Sequence, residues 1–352
     1  MVDSDTSRRR FLRAGGLALA AGVAGCGASP PTAADDASSV SPYTRVYRDA
    51  IDSVLLVRTD AGSGTGFVYD RRHVVTNAHV VGEASAVDLR TSEGRWHEGD
   101  VVGTDPNSDL AVVAVDDLPE ASSPLDLAED PAVVGQEVVA IGNPFDLDGS
   151  VTTGIVSGVD RSIPAPTGYS IPDAIQTDAA VNPGNSGGPL AALDGRVVAV
   201  INSGGGEDIA FGISAALARR VLPALIETGS FEHAFLGVAL TPVTPRLAAA
   251  NDLDEPRGLL VVDVAPGGPA AGALRSSDPE LIDGEGVPVG GDVVLAIDGR
   301  ATDTTEALGS HLALRTRPGD AVSLTVLRDG SERTVEVELG ARPTPGSSDS
   351  TR

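Results

Sequence analysis

The chain has 352 residues, two to three domains' worth at roughly 150 residues each, and its 25 basic against 50 acidic side chains give a formal charge of −25. That balance excludes nucleic acid as a partner: phosphate binding needs clustered cations, and the dense basic run is Arg8, Arg9, Arg10 and Arg13 at the N-terminus. A hydrophobic share of 41% excludes global disorder, and the single Cys26 excludes an internal disulfide.

Every basic residue is arginine and acidic residues run along the whole chain. Such a surface suits very high salt, where a Debye length of roughly 3 Å at about 1 M leaves dispersed like charges barely repelling. An acidic protein of an ordinary cell, or one that binds a cationic partner, has the same composition. Aromatic residues are only 3% of the chain, so the cores must be built from Val, Leu, Ile and Ala, and 42 Gly with 24 Pro predict short strands between many turns.

Residues 7–26 read SRRRFLRAGGLALAAGVAGC. The pair Arg8-Arg9, the short apolar run Ala14 to Gly25 and the lipobox-like Val23-Ala24-Gly25-Cys26 resemble a twin-arginine (Tat) export signal with a lipoprotein cleavage site. The run falls short of the roughly 20 apolar residues a spanning helix needs. Residues 1–26 are therefore predicted to be a signal, with Cys26 lipidated and holding the chain to the outer face of the cytoplasmic membrane; an incidental cysteine in a plain signal is the alternative. Two acyl chains anchor stably at roughly 0.8 kcal/mol per buried methylene. Residues 27–44, rich in Ser and Pro, read as a flexible tether.

From about residue 50 the chain is a series of short apolar runs: 54–59, 66–70, 73–81, 86–91, 101–104, 110–115, 137–141, 151–159, 174–177, 189–193, 197–201 and 209–213. This spacing predicts β-barrels or a sandwich. Ser214 then caps AALARRVLPALIETG, a helical pattern with Leu217, Val221 and Leu225 at four-residue intervals, stopping at Gly229. A second module follows, with strands near 236–240, 259–264, 292–297, 321–327 and 334–339 and a helix over 305–315. Residues 341–352 read as a disordered tail.

Three motifs carry the chemistry: VVTNAHVV with His79, NSDLAVVAV with Asp109 and NPGNSGGPL with Ser186. A serine hydroxyl needs a neighbouring base, His suits that task near neutrality, and a buried carboxylate fixes the imidazole tautomer. Gly184 and Gly187 allow a tight turn that aims backbone N–H groups at one point, so the N–H groups of Gly184 and Ser186 are the predicted oxyanion hole. His79, Asp109, Ser186 is also the chain order of the chymotrypsin-like double barrel. Each motif alone has a plainer reading: a histidine packed in an apolar strand, a loop entering a strand, a turn. The other histidines compete poorly: His73 opens a strand, His97 lies in a polar hairpin, His233 in the linker and His311 on the second module's helix.

With these motifs GSGTGF (62–67), TNAHVV (76–81), SDLAVV (108–113), IGNPF (141–145) and IQTDAAVNPGNSGGPL (175–190), the chain resembles the HtrA/Deg family of serine proteases over roughly residues 45–340. The resemblance implies a mainly β fold. Residues 45–229 would form a trypsin-like protease domain of two six-stranded barrels, with the triad in the cleft between them. FLGV at Phe235, Leu236, Gly237 and Val238, with the glycine-punctuated strands beyond, resembles a PDZ domain over 235–340 whose N–H groups hold a peptide's C-terminal carboxylate. The acidic stretch SSDPELIDGEGVPV between Leu274 and Gly291 departs from that pattern.

The family further implies endopeptidase activity on unfolded or damaged exported proteins and assembly of identical chains into trimers or larger cages; neither metal nor cofactor is expected. It places Ala180 at the floor of the specificity pocket with Ile201, Asn202 and Ser203 beside it, and strand 200–203 as the partner of the substrate backbone. An uncharged floor selects small or medium apolar residues loosely. Loop 161–172 is the expected receiver of signals from the PDZ module. A non-catalytic chaperone or adaptor using the same surfaces is the rival reading.

Overall fold

Val, Ile and Leu recurring between Gly, Asn and Asp turns produce antiparallel strands, and in the computed structural model, which describes residues 40–143, 149–206, 208–282 and 284–343, these strands close on themselves twice. A helix, α1 (Pro42–Ala50), leads into the first barrel. Among the described residues that barrel comprises β1 (Val54–Thr59), β2 (Gly62–Val68), β3 (His73–Thr76), β4 (Ala86–Arg90), β5 (Trp96–Asp105) and β6 (Leu110–Ala114), closed in the order β1-β2-β3-β6-β5-β4. A short helix, α2 (Ala78–Val81), stands between β3 and β4. The second comprises β7 (Glu137–Gly142), β8 (Ser150–Pro164), β9 (Ser170–Thr177), β10 (Pro189–Ala192), β11 (Val197–Gly206) and β12 (Ile209–Ser214), closed as β10-β11-β12-β9-β8-β7.

Several strands lack the apolar–polar alternation of a half-exposed sheet because both faces are buried. In β6, Ala111 and Val113 point into the first barrel while Leu110 and Val112 join a core shared with the second. In β7, Val138 and Ala140 fill the second barrel while Val139 and Ile141 face the shared core. That shared core fixes the two barrels against each other, so residues at the barrel ends meet with little freedom.

Helix α3 (Ala215–Thr228) covers the shared core. The Ser214 hydroxyl accepts from the Leu217 N–H at 3.1 Å, and Leu217, Val221 and Leu225 are completely buried. Burial of each is worth roughly 1.5–3 kcal/mol.

The C-terminal module is a sheet ordered β14 (Val238–Pro242), β15 (Leu259–Val264), β18 (Val293–Ile297), β20 (Ala321–Arg328), β21 (Ser331–Glu338), with β19 (Arg300–Ala301) paired to β18. β13 (Ala234–Phe235) pairs with β22 (Gly340–Ala341), and β16 (Asp278–Ile282) with β17 (Glu285–Val289). Helices α4 (Pro245–Ala250) and α5 (Thr305–Arg315) complete it. The Arg328 guanidinium grips the buried Asp292 carboxylate with two 2.6 Å bonds, an internal strut that solvent does not screen.

The module docks on the second barrel through α5. Arg220 of α3 donates to the Leu314 carbonyl at 2.8 Å and to the Thr316 carbonyl, capping the α5 C-terminus with positive charge. The Ser310 hydroxyl donates to Asp160 at the β8–β9 hairpin, and the Phe235 ring meets Tyr169 edge-on at 6.2 Å.

Three expectations need correction, and a stretch with no predicted element turns out to have one. Helix α1 begins at Pro42, inside the tether predicted over 27–44, with proline in its first turn where a missing N–H costs nothing. His79 lies on α2 rather than in an apolar strand, because the chain leaves β3 at Thr76. The acidic insert is a β-hairpin, β16–β17. The tail predicted from 341 starts later, since Ala341 pairs with Ala234 and the Arg342 N–H donates to the His233 carbonyl at 2.9 Å. The signal, Cys26, most of the tether and the last nine residues lie outside the described residues.

Candidate active site

Where the first barrel meets Asn202 of the second, Asp109 sits on an unusual backbone. Its φ of 53° is left-handed, a conformation that costs a non-glycine residue on the order of 1–3 kcal/mol. The surroundings hold it there: the Asp109 carbonyl accepts the Ala78 N–H at 3.2 Å and the Asn77 side-chain amide at 2.9 Å. The carboxylate is buried and receives three bonds. Oδ1 accepts the His79 backbone N–H at 2.8 Å, and Oδ2 accepts from His79 Nδ1 at 2.6 Å and from Asn202 Nδ2 at 2.5 Å. With its Nδ1 proton given to Asp109, the His79 ring keeps Nε2 as the acceptor.

The Ser186 turn is pinned by both barrels. Thr65 of the first barrel donates its N–H to the Ser186 carbonyl at 2.8 Å and its hydroxyl to the Gly184 carbonyl at 2.5 Å. From the second barrel, Ile201 accepts the Gly187 N–H and donates to the Gly188 carbonyl, both at 2.8 Å. Gly187 has a φ of 87°, and a Cβ there would sit 2.1 Å from the Thr65 carbonyl oxygen, so the turn admits no side chain. Among the described residues the N–H groups of Gly184 and Ser186 donate to nothing, which leaves two unused donors in the turn.

His79 and Asp109 are thus joined directly, whereas the Ser186 hydroxyl donates to the Asn202 carbonyl at 2.8 Å rather than to His79. Asn202 touches both ends of the triad, its amide on Asp109 and its carbonyl on Ser186. The Asn202 side chain is buried against Asp109. That of Ile201 packs inside the second barrel with Val138, Leu190 and Ala199 while its backbone serves the serine turn, so these two residues can face a pocket only through their backbone. The register of β11 against β12 shifts between Ile201 and Ser203. Ala180 is exposed, with its carbonyl held by the Thr152 hydroxyl at 2.8 Å. Ser203 lies in β11 opposite Phe211.

In the C-terminal module, Leu236 is buried in the core, Gly237 has a φ of 77°, and Val238 opens the edge strand β14. The Leu236 and Gly237 N–H groups have no acceptor among the described residues. They lie where β14 begins.

Comparison with known proteins agrees with this geometry. The family model described as a trypsin-like peptidase domain matches residues 64–200, and that described as a PDZ domain matches 234–339. A probable periplasmic serine endoprotease DegP-like from Halomonas elongata is 40% identical over 289 residues, covering 80% of this chain and 56% of that protein. The protein of the same description from Pseudomonas fulva is 38% identical over 289 residues, again 80% of this chain and 56% of the relative. The chain therefore spans little more than half the length of these curated relatives. The solved structure of the HtrA-type protease AlgW with tripeptide has 33% identity and a TM-score of 0.69, covering 87% of this chain and 99% of that one. A serine endoprotease from Yersinia pestis has 27% identity and a TM-score of 0.60, over 86% and 98% of the two chains.

Proposed function

This chain belongs to the HtrA-type serine proteases, and from that premise we propose that it is a serine endopeptidase acting on unfolded or damaged exported polypeptides. The observation that carries the reading is the contact set around Asn202 and Asp109. Rotation of the Ser186 hydroxyl from the Asn202 carbonyl to His79 Nε2 makes the nucleophile: His79 takes the proton, Oγ attacks the peptide carbonyl, and Asp109 stabilises the imidazolium. The oxyanion turns toward the Gly184 and Ser186 N–H groups, each worth roughly 3–4 kcal/mol of barrier. His79 then protonates the leaving amine, and water cleaves the acyl-enzyme by the same route.

The PDZ module would take a peptide C-terminus at the Leu236–Gly237 N–H groups, with the rest of the peptide adding a strand to the edge of β14. Export is supported by the relatives described as periplasmic, while the Tat route and a lipid at Cys26 rest on residues 7–26. Assembly into trimers or multiples is part of the same reading, as is adaptation to high salt.

A fluorophosphonate probe in high salt tests it, with the labelled residue located by mass spectrometry and unfolded casein as substrate. Labelling at Ser186 and cleavage abolished by Ser186→Ala are expected. Equal cleavage by both proteins rejects the assignment and leaves the chaperone or adaptor reading.

A further inference from the structure

The linker between the two modules sends one side chain back into the protease core. His233 is 4% exposed, and its Nε2 lies 2.7 Å from Oδ2 of Asp105, itself 3% exposed. Asp105 ends β5 and opens the turn that delivers Asp109. Its Oδ1 accepts the Asn107 N–H at 3.2 Å, its Oδ2 accepts the Ser108 hydroxyl at 2.5 Å, and its carbonyl accepts the Ser108 N–H at 3.3 Å. Ser108 is fully buried and is followed by the left-handed Asp109. One carboxylate therefore templates the whole turn 105–109, and that carboxylate is buried, so it needs its partners.

Asp105 has one ring partner, and that ring is fixed from the far side. Phe231 packs edge-on against the His233 ring at 4.8 Å, and the His233 carbonyl holds the Arg342 N–H. Loop 161–172 reaches the same turn separately, through the Thr167 hydroxyl on Asn107 Oδ1 at 2.9 Å. The turn carrying Asp109 is the meeting point of the linker and that loop.

We propose that His233 is a positioning residue for the active site: it donates from Nε2 to Asp105, which through Ser108 holds the strained turn that aims Asp109 at His79. This makes a second Asp–His pair, Asp105–His233, standing behind the first, Asp109–His79. The proposal rests on the peptidase reading above. A displaced turn still contacts substrate nowhere, so the defect falls on kcat and not on KM, and a displacement near 1 Å at a catalytic group lowers rate by up to roughly 100-fold.

The test measures kcat and KM on a short fluorogenic peptide in high salt, with thermal unfolding and fluorophosphonate labelling in parallel. His233→Leu is expected to lower kcat roughly 10- to 100-fold at unchanged KM. His233→Gln, which keeps a donor near the Nε2 position, restores most of it. Ser108→Ala, which cuts the next link, lowers kcat by a similar factor, and the double variant His233→Leu/Ser108→Ala is no worse than the more impaired single one. A purely structural histidine lowers the unfolding temperature without this split or this non-additivity. The proposal is overturned if folded His233→Leu keeps kcat within twofold, if His233→Gln is as impaired as His233→Leu, or if the single losses multiply in the double variant. Should His233→Leu not fold, Ser108→Ala and His233→Gln decide: near-wild-type kcat in Ser108→Ala overturns it. Failure of the wild type itself to be labelled at Ser186 rejects the peptidase reading instead, so the two failures are told apart.

Discussion

Replacing Asp109 by Asn removes a charge while keeping shape, and the structure specifies why no orientation of the amide is satisfied. Both carboxylate oxygens accept: Oδ1 from the His79 N–H, Oδ2 from His79 Nδ1 and from Asn202 Nδ2. An amide has one acceptor oxygen, so its NH2 group must face a donor whichever way it turns. Only the imidazole can adjust, by becoming an acceptor at Nδ1 and carrying its proton on Nε2, and that tautomer cannot accept from Ser186. The expected loss in kcat is about 10⁴-fold, on the order of 5 kcal/mol at 1.36 kcal/mol per tenfold. Folding is largely spared, because Asn tolerates the left-handed φ of 53° almost as well as Asp. The assay is steady-state hydrolysis of a peptide beside thermal unfolding of the same preparation. A kcat within tenfold of wild type, or a loss accompanied by unfolding at the assay temperature, refutes the tautomer argument.

Gly187→Ala places a methyl 2.1 Å from the Thr65 oxygen at a φ of 87°, and should abolish labelling of Ser186 and destabilise by roughly 2–5 kcal/mol, measured by chemical denaturation. Arg220→Met removes the two bonds to the α5 carbonyls, each worth roughly 1.5–3 kcal/mol for a charged donor, so limited proteolysis should cut the linker 229–233 faster; an unchanged rate refutes the capping role. Burial, with a smaller contribution from Asp160, raises the Asp173 carboxyl above its ordinary range, against the opposing Ser214 hydroxyl bond. A native value above the unfolded one means the folded state holds the proton more tightly, so this group's stabilisation is full below about 3.8 and fades as pH rises through the raised value. Asp173→Asn should therefore be more stable than wild type at pH 7 and lose that advantage on acidification toward the carboxylate range; a pH-independent difference in unfolding temperature contradicts it.

The barrels were legible because their strands are short Val- and Ile-rich runs cut by glycine, and because fully buried strands such as β6 and β7 read as unbroken apolar stretches. Those same unbroken stretches hid α2, since VVTNAHVV offers no periodicity to separate strand from helix. The β16–β17 hairpin was illegible for another reason: Pro279 and Pro288 argue against strands, and most of its side chains are exposed, so no alternation marks it. The triad motifs pointed to His79, Asp109 and Ser186 because nucleophile, base and carboxylate each need distinctive neighbours. Asn202 and His233 carry no such signature. Their partners, Asp109 and Asp105, lie 93 and 128 positions away, and only tertiary closure brings each pair together.

The pairing of β13 with β22 sets an order of events on the making of this protein. Residues 340–342 are translated long after the catalytic aspartate, yet they brace the linker that reaches back to the turn carrying it. On the reading proposed above, a ribosome-bound chain holds Ser186, His79 and Asp109 before it holds the brace behind Asp105, and full competence would arrive only with the final stretch of the second module.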